Sequence, residues 1–260
     1  MHRTTRSRIA RSLARIALSA AVAALAACAA FKEPKPSTAE ALYKSAKEAL
    51  DTGYYENAIK DYEKLQANYP FGVYAQQAQL DIAYAYYKNN EADSAIAAAE
   101  QFIKTYPRHE HVDYAYYLRG LANFAQTSDY FDRPLNHDPA RRDPRSARES
   151  FQFFSELLER FPQSPYADDA RQRMIFLKNY LARHELYVAD YYMRRKAYVA
   201  AANRAQYILE NYQRTPAIPQ ALAILERAYA ALGLKDLAAD AHRVRELNLP
   251  ADGAAQSAAP

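Results

Sequence analysis

An aromatic residue followed by proline recurs where helical patterns end, and this joint restricts the fold more than any other feature of the sequence. Proline has no backbone N–H and cannot lie inside the preceding helix, so each joint separates one helix from the next. A joint that recurs predicts a repeat protein. The joints are Tyr69-Pro70, Tyr106-Pro107 and Phe161-Pro162, with Tyr212-Gln213 as a form without proline.

The residues before these prolines keep their character at fixed offsets. Pro107 follows Pro70 by 37 residues, close to the tetratricopeptide length of about 34. Small residues stand 12 and 24 positions before the prolines, where two antiparallel helices would cross closely: Ala46, Ala58, Ala83, Ala95 and Ser150. The positions eight and five before the prolines are apolar: Tyr62, Leu65, Ala99, Phe102, Phe154 and Leu157. Glycine is rare and no hairpin pattern occurs, so we predict an all-α solenoid of about five tetratricopeptide-like helix pairs.

The repeats divide the chain beyond residue 38 into four parts. Repeats one and two and the start of repeat three occupy residues 39–126, and the remainder of the repeats occupies 147–248. Between them, about 18 extra residues interrupt repeat three, which predicts an insertion at 127–146 on the surface. Residues 249–260 are small and polar, and we interpret them as a disordered tail.

Residues 1–27 have the three-part layout of a secretory signal. Five arginines precede an apolar core at Ile16–Leu25 that is too short to span a membrane as a helix. The sequence Leu25-Ala26-Ala27-Cys28 resembles the lipobox of bacterial lipoproteins. This resemblance implies cleavage between Ala27 and Cys28, and a diacylglycerol and an amide-linked fatty acid on Cys28. The alternative is an ordinary signal peptide followed by an unmodified cysteine.

The lipobox resemblance also carries an expectation of location. Several acyl chains anchor a protein firmly, whereas one chain gives only marginal binding. Ala29 follows the cysteine, where lipoproteins of the inner membrane usually carry aspartate, so the resemblance implies the outer membrane. Residues 28–38 would form the lipid anchor and tether. Without the five signal arginines the formal charge falls from +4 to −1, which argues against a nucleic-acid partner.

The sequence contains no complete motif for catalysis or metal binding. His109-Glu110-His111 offers two imidazoles and a carboxylate, but neighbouring residues in a short loop cannot close a tetrahedral site alone. Aspartates in and beside the insertion lack the spacing of a calcium loop. No glycine-rich phosphate loop or nucleophile elbow occurs. We therefore expect a non-enzymatic protein without metal or cofactor, although a carboxylate pair of the glycosidase type remains open.

The first helix of a tetratricopeptide unit lines the concave face, which makes its aromatic residues candidates for a binding groove. Tyrosine combines a large apolar ring with a hydroxyl group, a combination suited to binding peptides. The alternative is that these rings pack between repeats. The candidate residues are Tyr43, Gln77, Tyr84, Tyr87, Tyr114, Tyr117 and Phe124.

Four stretches resemble the BamD/ComL family, the lipoproteins that form component D of the β-barrel assembly (BAM) complex. Together with Cys28 they cover the chain from the lipobox to the later repeats, although Tyr54, Tyr55 and Tyr198 stand where the family commonly has tryptophan. The stretches are NYPFG at 68–72 continuing to YAYYK at 84–88, DYAYYLRGL at 113–121, RDPRSAR at 142–148 and YVAAANR at 198–204.

The family resemblance implies five repeats, a position on the periplasmic side of the outer membrane of a Gram-negative bacterium, and a non-enzymatic role in inserting barrel proteins. The implied partners are the barrel-forming subunit, other assembly lipoproteins and unfolded barrel precursors. Arg204 matches an arginine that meets the last POTRA domain of the barrel-forming subunit; the alternative is a solvated charge paired with Glu210 or with nothing. A lipid-anchored adaptor for cell-wall enzymes is the alternative function.

Overall fold

The computed structural model describes residues 38–128 and 143–248, and these residues form ten α-helices and no strand. The signal peptide, Cys28, most of the tether, residues 129–142 of the insertion and the tail 249–260 lie outside the described residues. The helices are α1 Ala39–Asp51, α2 Tyr55–Asn68, α3 Val73–Lys88, α4 Ala92–Thr105, α5 Val112–Ser128, α6 Arg145–Arg160, α7 Ala167–Arg194, α8 Tyr198–Asn211, α9 Ile218–Ala231 and α10 Lys235–Asn248.

Each recurring aromatic residue caps the C-terminus of a second helix, as the joint predicts. Its backbone N–H donates to the carbonyl oxygen four residues earlier, and this bond closes the last turn. The four bonds run from Tyr69 to Leu65, from Tyr106 to Phe102, from Phe161 to Leu157 and from Tyr212 to Ile208, at 2.7 to 2.9 Å. At the first joint Gly72 then has φ 107°, a conformation that favours glycine and lets α3 begin at once.

The helices pack as five consecutive pairs, which confirms the predicted solenoid. Every helix contacts the next one along the chain. In addition, the first helices α1, α3, α5, α7 and α9 contact one another in succession, whereas α2, α4, α6, α8 and α10 do not. The first helices therefore lie along the inner side of the curve. No helix in the part of the chain that the structure describes is both long and apolar enough to cross a membrane.

The residues at the repeat offsets form the core. All five small residues and all six apolar residues singled out from the sequence are fully buried. The third pair shows how closely its helices cross. Gly120 takes the place of an alanine in α5, and a Cβ atom there would lie 2.3 Å from Cε1 of Phe154 in α6. The hydroxyl of Ser150 donates to the carbonyl oxygen of Gly120 at 2.8 Å across the same crossing.

Two sequence interpretations differ from the structure. The predicted insertion at 127–146 overlaps the helices at both ends, because α5 extends through Ser128 and α6 begins at Arg145. In the long helix α7, the apolar stripe that the sequence predicts comprises Ile175, Leu177, Leu181 and Leu186, but Ile175 is exposed while the three leucines are buried. Thr38 caps the N-terminus of α1, because its hydroxyl oxygen accepts a hydrogen bond from the N–H of Ala41 at 3.2 Å.

Candidate functional site

The seven candidate groove residues lie on α1, α3 and α5, three of the inner helices. We call them the aromatic groove: Tyr43, Gln77, Tyr84, Tyr87, Tyr114, Tyr117 and Phe124. Tyr117 is buried, and the other six are half-buried. Tyr117 is a member of the largest core cluster, and four partly buried rings pack against that cluster: Tyr84, Tyr87, Tyr114 and Phe124. The alternative, packing between repeats, therefore holds for part of each of these five rings, while the four half-buried rings also keep some exposed surface.

Asp81 on α3 organises the first part of the groove. Its Oδ2 accepts hydrogen bonds from the hydroxyls of Tyr43 at 3.0 Å and Tyr62 at 3.2 Å, and its Oδ1 accepts from Nε2 of Gln77 at 2.9 Å. Burial, reinforced by the negative charge of Asp81, raises the pKa of both tyrosines above the usual value. Both hydroxyls therefore stay protonated and fix the first repeat against the second.

Beside this network, a cleft of about 720 Å³ runs along α1. The rings of Tyr43 and Tyr74 meet at its wall with centroids 5.5 Å apart. Charged side chains of both signs form the rest of its edge: Glu40, Lys44, Lys47, Glu48 and Asp51. An apolar wall with a mixed-charge rim is able to hold an extended polypeptide without selecting strongly for its charge.

The groove continues as contacts between rings of the second, third and fourth repeats. Tyr84 lies beside Tyr87 with centroids 6.2 Å apart. Tyr114 packs on Tyr166 at 5.2 Å, and burial raises the pKa of Tyr114 above its usual value. Tyr117 also stacks on Tyr166, with ring centroids 4.8 Å apart and ring planes within 15° of parallel. Rings from α3 and α5 thus extend the aromatic surface towards the N-terminus of α7.

An ion pair on α7 closes this aromatic surface. The hydroxyl of Tyr117 donates to Oδ2 of Asp169, which also accepts from Nε of Arg173 at 2.5 Å. Burial and the bond to Asp169 raise the pKa of Tyr117 to about 12. Burial alone would raise the pKa of Asp169, but the bonds from Arg173 and Tyr117 outweigh it and lower that pKa.

Arg173 also brings a cation to the apolar side of the groove. Its guanidinium lies 4.7 Å from the ring centroid of Phe124, a cation–π geometry. Phe176, one turn further along α7, contacts the same ring at 5.5 Å and is itself 37% exposed. The surface around α7 therefore presents aromatic faces, hydroxyls, the Arg173 cation and the Asp169 carboxylate, which are groups that bind peptides.

A second surface surrounds Arg204 on α8. The Nη1 atom of Arg204 donates to Oε2 of Glu185 at 3.0 Å, and Nη2 of Arg148 lies 3.5 Å from Oε1 of the same carboxylate. The Glu185 side chain is only 3% exposed, whereas those of Arg148 and Arg204 are 53% and 45% exposed. We call Arg148, Glu185 and Arg204 the arginine site. Three consecutive helices, α6, α7 and α8, contribute one residue each.

The structure corrects the expected alternative for Arg204. That alternative paired the arginine with Glu210 or left it without a partner, but its carboxylate is Glu185. Glu210 instead accepts a hydrogen bond from Nε2 of Gln206 at 2.9 Å. Residues four apart on a helix are neighbours, which pairs Gln206 with Glu210; Arg204 points towards α7.

Sequence reasoning missed several residues of both surfaces. Asp81 could have been predicted from the sequence, because it lies four residues after Gln77 and three before Tyr84 and so shares their helix face. Asp169, Arg173 and Phe176 follow the same spacing on α7 and so share one face of that helix. Arg148 and Glu185 had no such signal, because tertiary packing alone brings them to Arg204.

The loop His109-Glu110-His111 makes local contacts only. The backbone N–H of His111 donates to Nδ1 of His109 at 3.1 Å, and the His109 ring packs edge-on against Phe102 with centroids 5.1 Å apart. Within residues 38–128 and 143–248, no group of three or more His, Cys, Asp or Glu side chains is arranged to hold a metal ion. Of the aspartates in and beside the insertion (Asp129, Asp132, Asp138 and Asp143), only Asp143 is among the described residues.

Comparison with known proteins places this chain in a family. The model of the YfiO family, described as outer membrane lipoprotein, matches residues 35–244. The outer membrane protein assembly factor BamD of Neisseria meningitidis is 48% identical over 211 residues, covering 81% of this chain and 79% of the relative. BamD of Vibrio cholerae is 42% identical over 207 residues, covering 80% of this chain and 86% of the relative.

A solved tetratricopeptide repeat protein from Parabacteroides merdae covers 93% of this chain and 90% of its own, at 15% identity and a TM-score of 0.39. The solenoid is defined by the helix pairing described above and does not depend on that likeness. The family match spans both candidate surfaces, since it begins before α1 and ends within α10. The chain therefore belongs to the family of outer-membrane lipoproteins that includes the BamD assembly factors.

Proposed function

We propose that this chain is a lipid-anchored, non-enzymatic scaffold of the outer-membrane β-barrel assembly machinery. Family membership supports the assembly role, because the relatives of 42 to 48% identity are named as outer membrane protein assembly factors. In this role the chain binds the barrel-forming subunit, accessory assembly lipoproteins and unfolded barrel precursors. Its anchor is the acylated Cys28, on the periplasmic side of the outer membrane.

The aromatic groove is the proposed site for precursors. Strands of membrane barrels alternate apolar and polar residues and carry aromatic side chains at both membrane interfaces. An unfolded precursor therefore offers aromatic side chains at intervals along an extended chain. The inner face offers ring contacts from Tyr43 to Phe176 at centroid separations of 4.8 to 6.2 Å. Aromatic pairs contribute about 0.5–1.5 kcal/mol beyond area burial, so several weak contacts together bind one strand.

The arginine site is the proposed contact with the barrel-forming subunit. Arg204 is half-exposed and has N–H donors beyond the one that Glu185 uses. Tyr207, three residues later on α8, exposes 41% of its surface beside it. Arginine and tyrosine are the residue types enriched at the centres of protein interfaces. An acidic side chain of the last POTRA domain is the group that this surface fits.

Pull-down of the tagged, lipidated chain from outer membranes tests the proposed function. Recovery of the barrel-forming subunit and accessory lipoproteins is the expected outcome. Recovery of cell-wall enzymes without the barrel-forming subunit would instead support the adaptor for such enzymes. The pull-down compares wild type with Arg204→Ala, which is preferable to Arg204→Glu because a glutamate there would face the buried carboxylate of Glu185.

Photo-crosslinking to the C-terminal peptide of a barrel precursor tests the groove. Phe176→Ala and the double variant Tyr84→Ala/Tyr87→Ala should each reduce crosslinking. Phe71→Ala is the matched control, because Phe71 is 90% exposed in the turn before α3 and lies outside the groove. Melting followed by circular dichroism checks that each variant is folded. Equal crosslinking by folded Phe176→Ala and wild type would show that precursors bind to a different surface.

A further inference from the structure

The arginine site has two cations for one buried carboxylate, which is more than folding requires. A buried carboxylate needs a partner, since an unpaired buried charge is strongly destabilising. One arginine satisfies that need for Glu185. The second leaves a net charge of +1 on a surface where both arginine side chains are about half-exposed.

We propose that Arg148 and Glu185 complete the docking site around Arg204 as positioning residues. Glu185 holds Arg204 in place through its Oε2 atom, and Arg148 neutralises Glu185 through the Oε1 atom. The ligand is one carboxylate group, an aspartate or glutamate side chain of the barrel-forming subunit. This inference rests on the proposed function, and it adds the two residues that make Arg204 available.

The role of Arg148 follows from counting charges as the partner docks. With Arg148 present, an incoming carboxylate bonds to the free N–H groups of Arg204 while Glu185 keeps its own cation. Without Arg148, Arg204 is the only cation for two carboxylates, and the docked site carries a net charge of −1. Arg148 therefore supports docking without contacting the partner. A purely structural Arg148 would act on stability through the buried carboxylate of Glu185 and would leave the affinity of the folded protein unchanged.

Neighbouring groups support a built site. Tyr212 is buried beside the arginine site, and burial, together with its neighbour Tyr207, raises its pKa above the usual value, with Glu185 adding to the shift and Arg148 opposing it. The ring of Tyr207 meets that of Tyr212 edge-on at 5.8 Å. The exposed Tyr207 thus has a fixed orientation next to Arg204, as expected of an interface residue that loses little conformational freedom on binding.

Affinity of the purified lipoprotein in detergent for the purified barrel-forming subunit tests this inference. Arg148→Ala should weaken binding about tenfold, and Arg148→Lys should retain most of the affinity because it keeps the charge. The matched control is Arg171→Ala, since Arg171 is also a half-exposed arginine and lies on α7, but its ion pair is with Asp168. That control should leave the affinity within about twofold.

The decisive variant is Arg148→Ala/Glu185→Gln. Glutamine removes the charge that competes for Arg204, so this double variant should recover most of the affinity that Arg148→Ala loses. Loss without recovery, in a protein with unchanged melting, would overturn the inference. Weakening by Arg204→Ala but not by Arg148→Ala would overturn the inference and leave the proposed docking intact. Absence of binding by wild type would overturn the docking proposal and this inference together.

Discussion

Replacing Gly120 by alanine tests how closely α5 and α6 cross. A Cβ atom at this position would lie 2.3, 2.5 and 2.8 Å from three ring carbons of Phe154. Ordinary contacts between such atoms are near 3.5–4.0 Å, so the ring would have to move by about 1 Å. Phe154 is fully buried and packs on Tyr117 and Phe124 at centroid distances of 5.9 and 6.5 Å, which leaves it no space to move into.

Two effects of opposite sign determine the result. Gly120 lies inside helix α5, where alanine is favoured over glycine by about 1 kcal/mol. Overpacking a filled core costs about 1–3 kcal/mol, and the upper part of that range applies here because three ring atoms are too close. We therefore expect Gly120→Ala to lower the free energy of unfolding by about 1–2 kcal/mol. For a domain of this size, that corresponds to a fall in Tm of roughly 2–8 °C.

Melting followed by circular dichroism, in the wild-type and Phe154→Leu backgrounds, measures the effect and its cause. The smaller leucine leaves room for the new methyl group, so Gly120→Ala should be neutral or stabilising in that background. The expected coupling between the two changes is at least about 1 kcal/mol. A higher Tm for Gly120→Ala alone would refute the close crossing, because helix propensity would then be the only effect. Equal shifts in both backgrounds would refute Phe154 as the cause.

The remaining predictions concern the anchor, a second crossing and the hydroxyl of Tyr86. Cys28→Ser should abolish fatty-acid labelling and release the protein from the outer membrane, and label on the variant or none on wild type would contradict the lipid anchor. Ala95→Leu should cost about 1–3 kcal/mol, because Ala95 is fully buried; unchanged melting would show that the α3–α4 crossing is loose. Burial and the bond to Glu63 raise the pKa of Tyr86 from 10.0 to about 12, so the folded state holds its proton longer than the unfolded chain. Stability should therefore fall as the pH rises from about 10 to about 12, and Tyr86→Phe should reduce this fall in Tm.

The repeats could be predicted from the sequence because each repeat uses the same type of residue at the same positions. An aromatic residue before proline marks the end of a helix at Tyr69, Tyr106 and Phe161, and small residues mark where helices cross. Both signals depend on chain spacing alone. The predicted insertion at 127–146 overlapped each neighbouring helix by two residues, since α5 ends at Ser128 and α6 begins at Arg145.

The candidate surfaces could be predicted only where one helix carries them. Tyr84 and Tyr87 lie on one helix three residues apart, so helical spacing groups them. Glu185 differs, because a glutamate in the middle of a long helix has the same local pattern whether it faces water or the core. Its burial follows from the packing of α6 and α8 on α7, and the two arginines that pair with it lie 37 residues before and 19 residues after it.

Helix α7 connects the two surfaces, and its geometry predicts that they act separately. Phe176 contacts Phe124 of the aromatic groove, and Glu185 belongs to the arginine site nine residues further along α7, which is about 14 Å along a helix axis. The two surfaces have no residue or ion pair in common, so changes in one should be independent of the other. Phe176→Ala should reduce crosslinking to a precursor peptide and leave affinity for the barrel-forming subunit within about twofold, while Arg148→Ala should do the reverse. Loss of both activities in either variant, with unchanged melting, would show that α7 couples the surfaces.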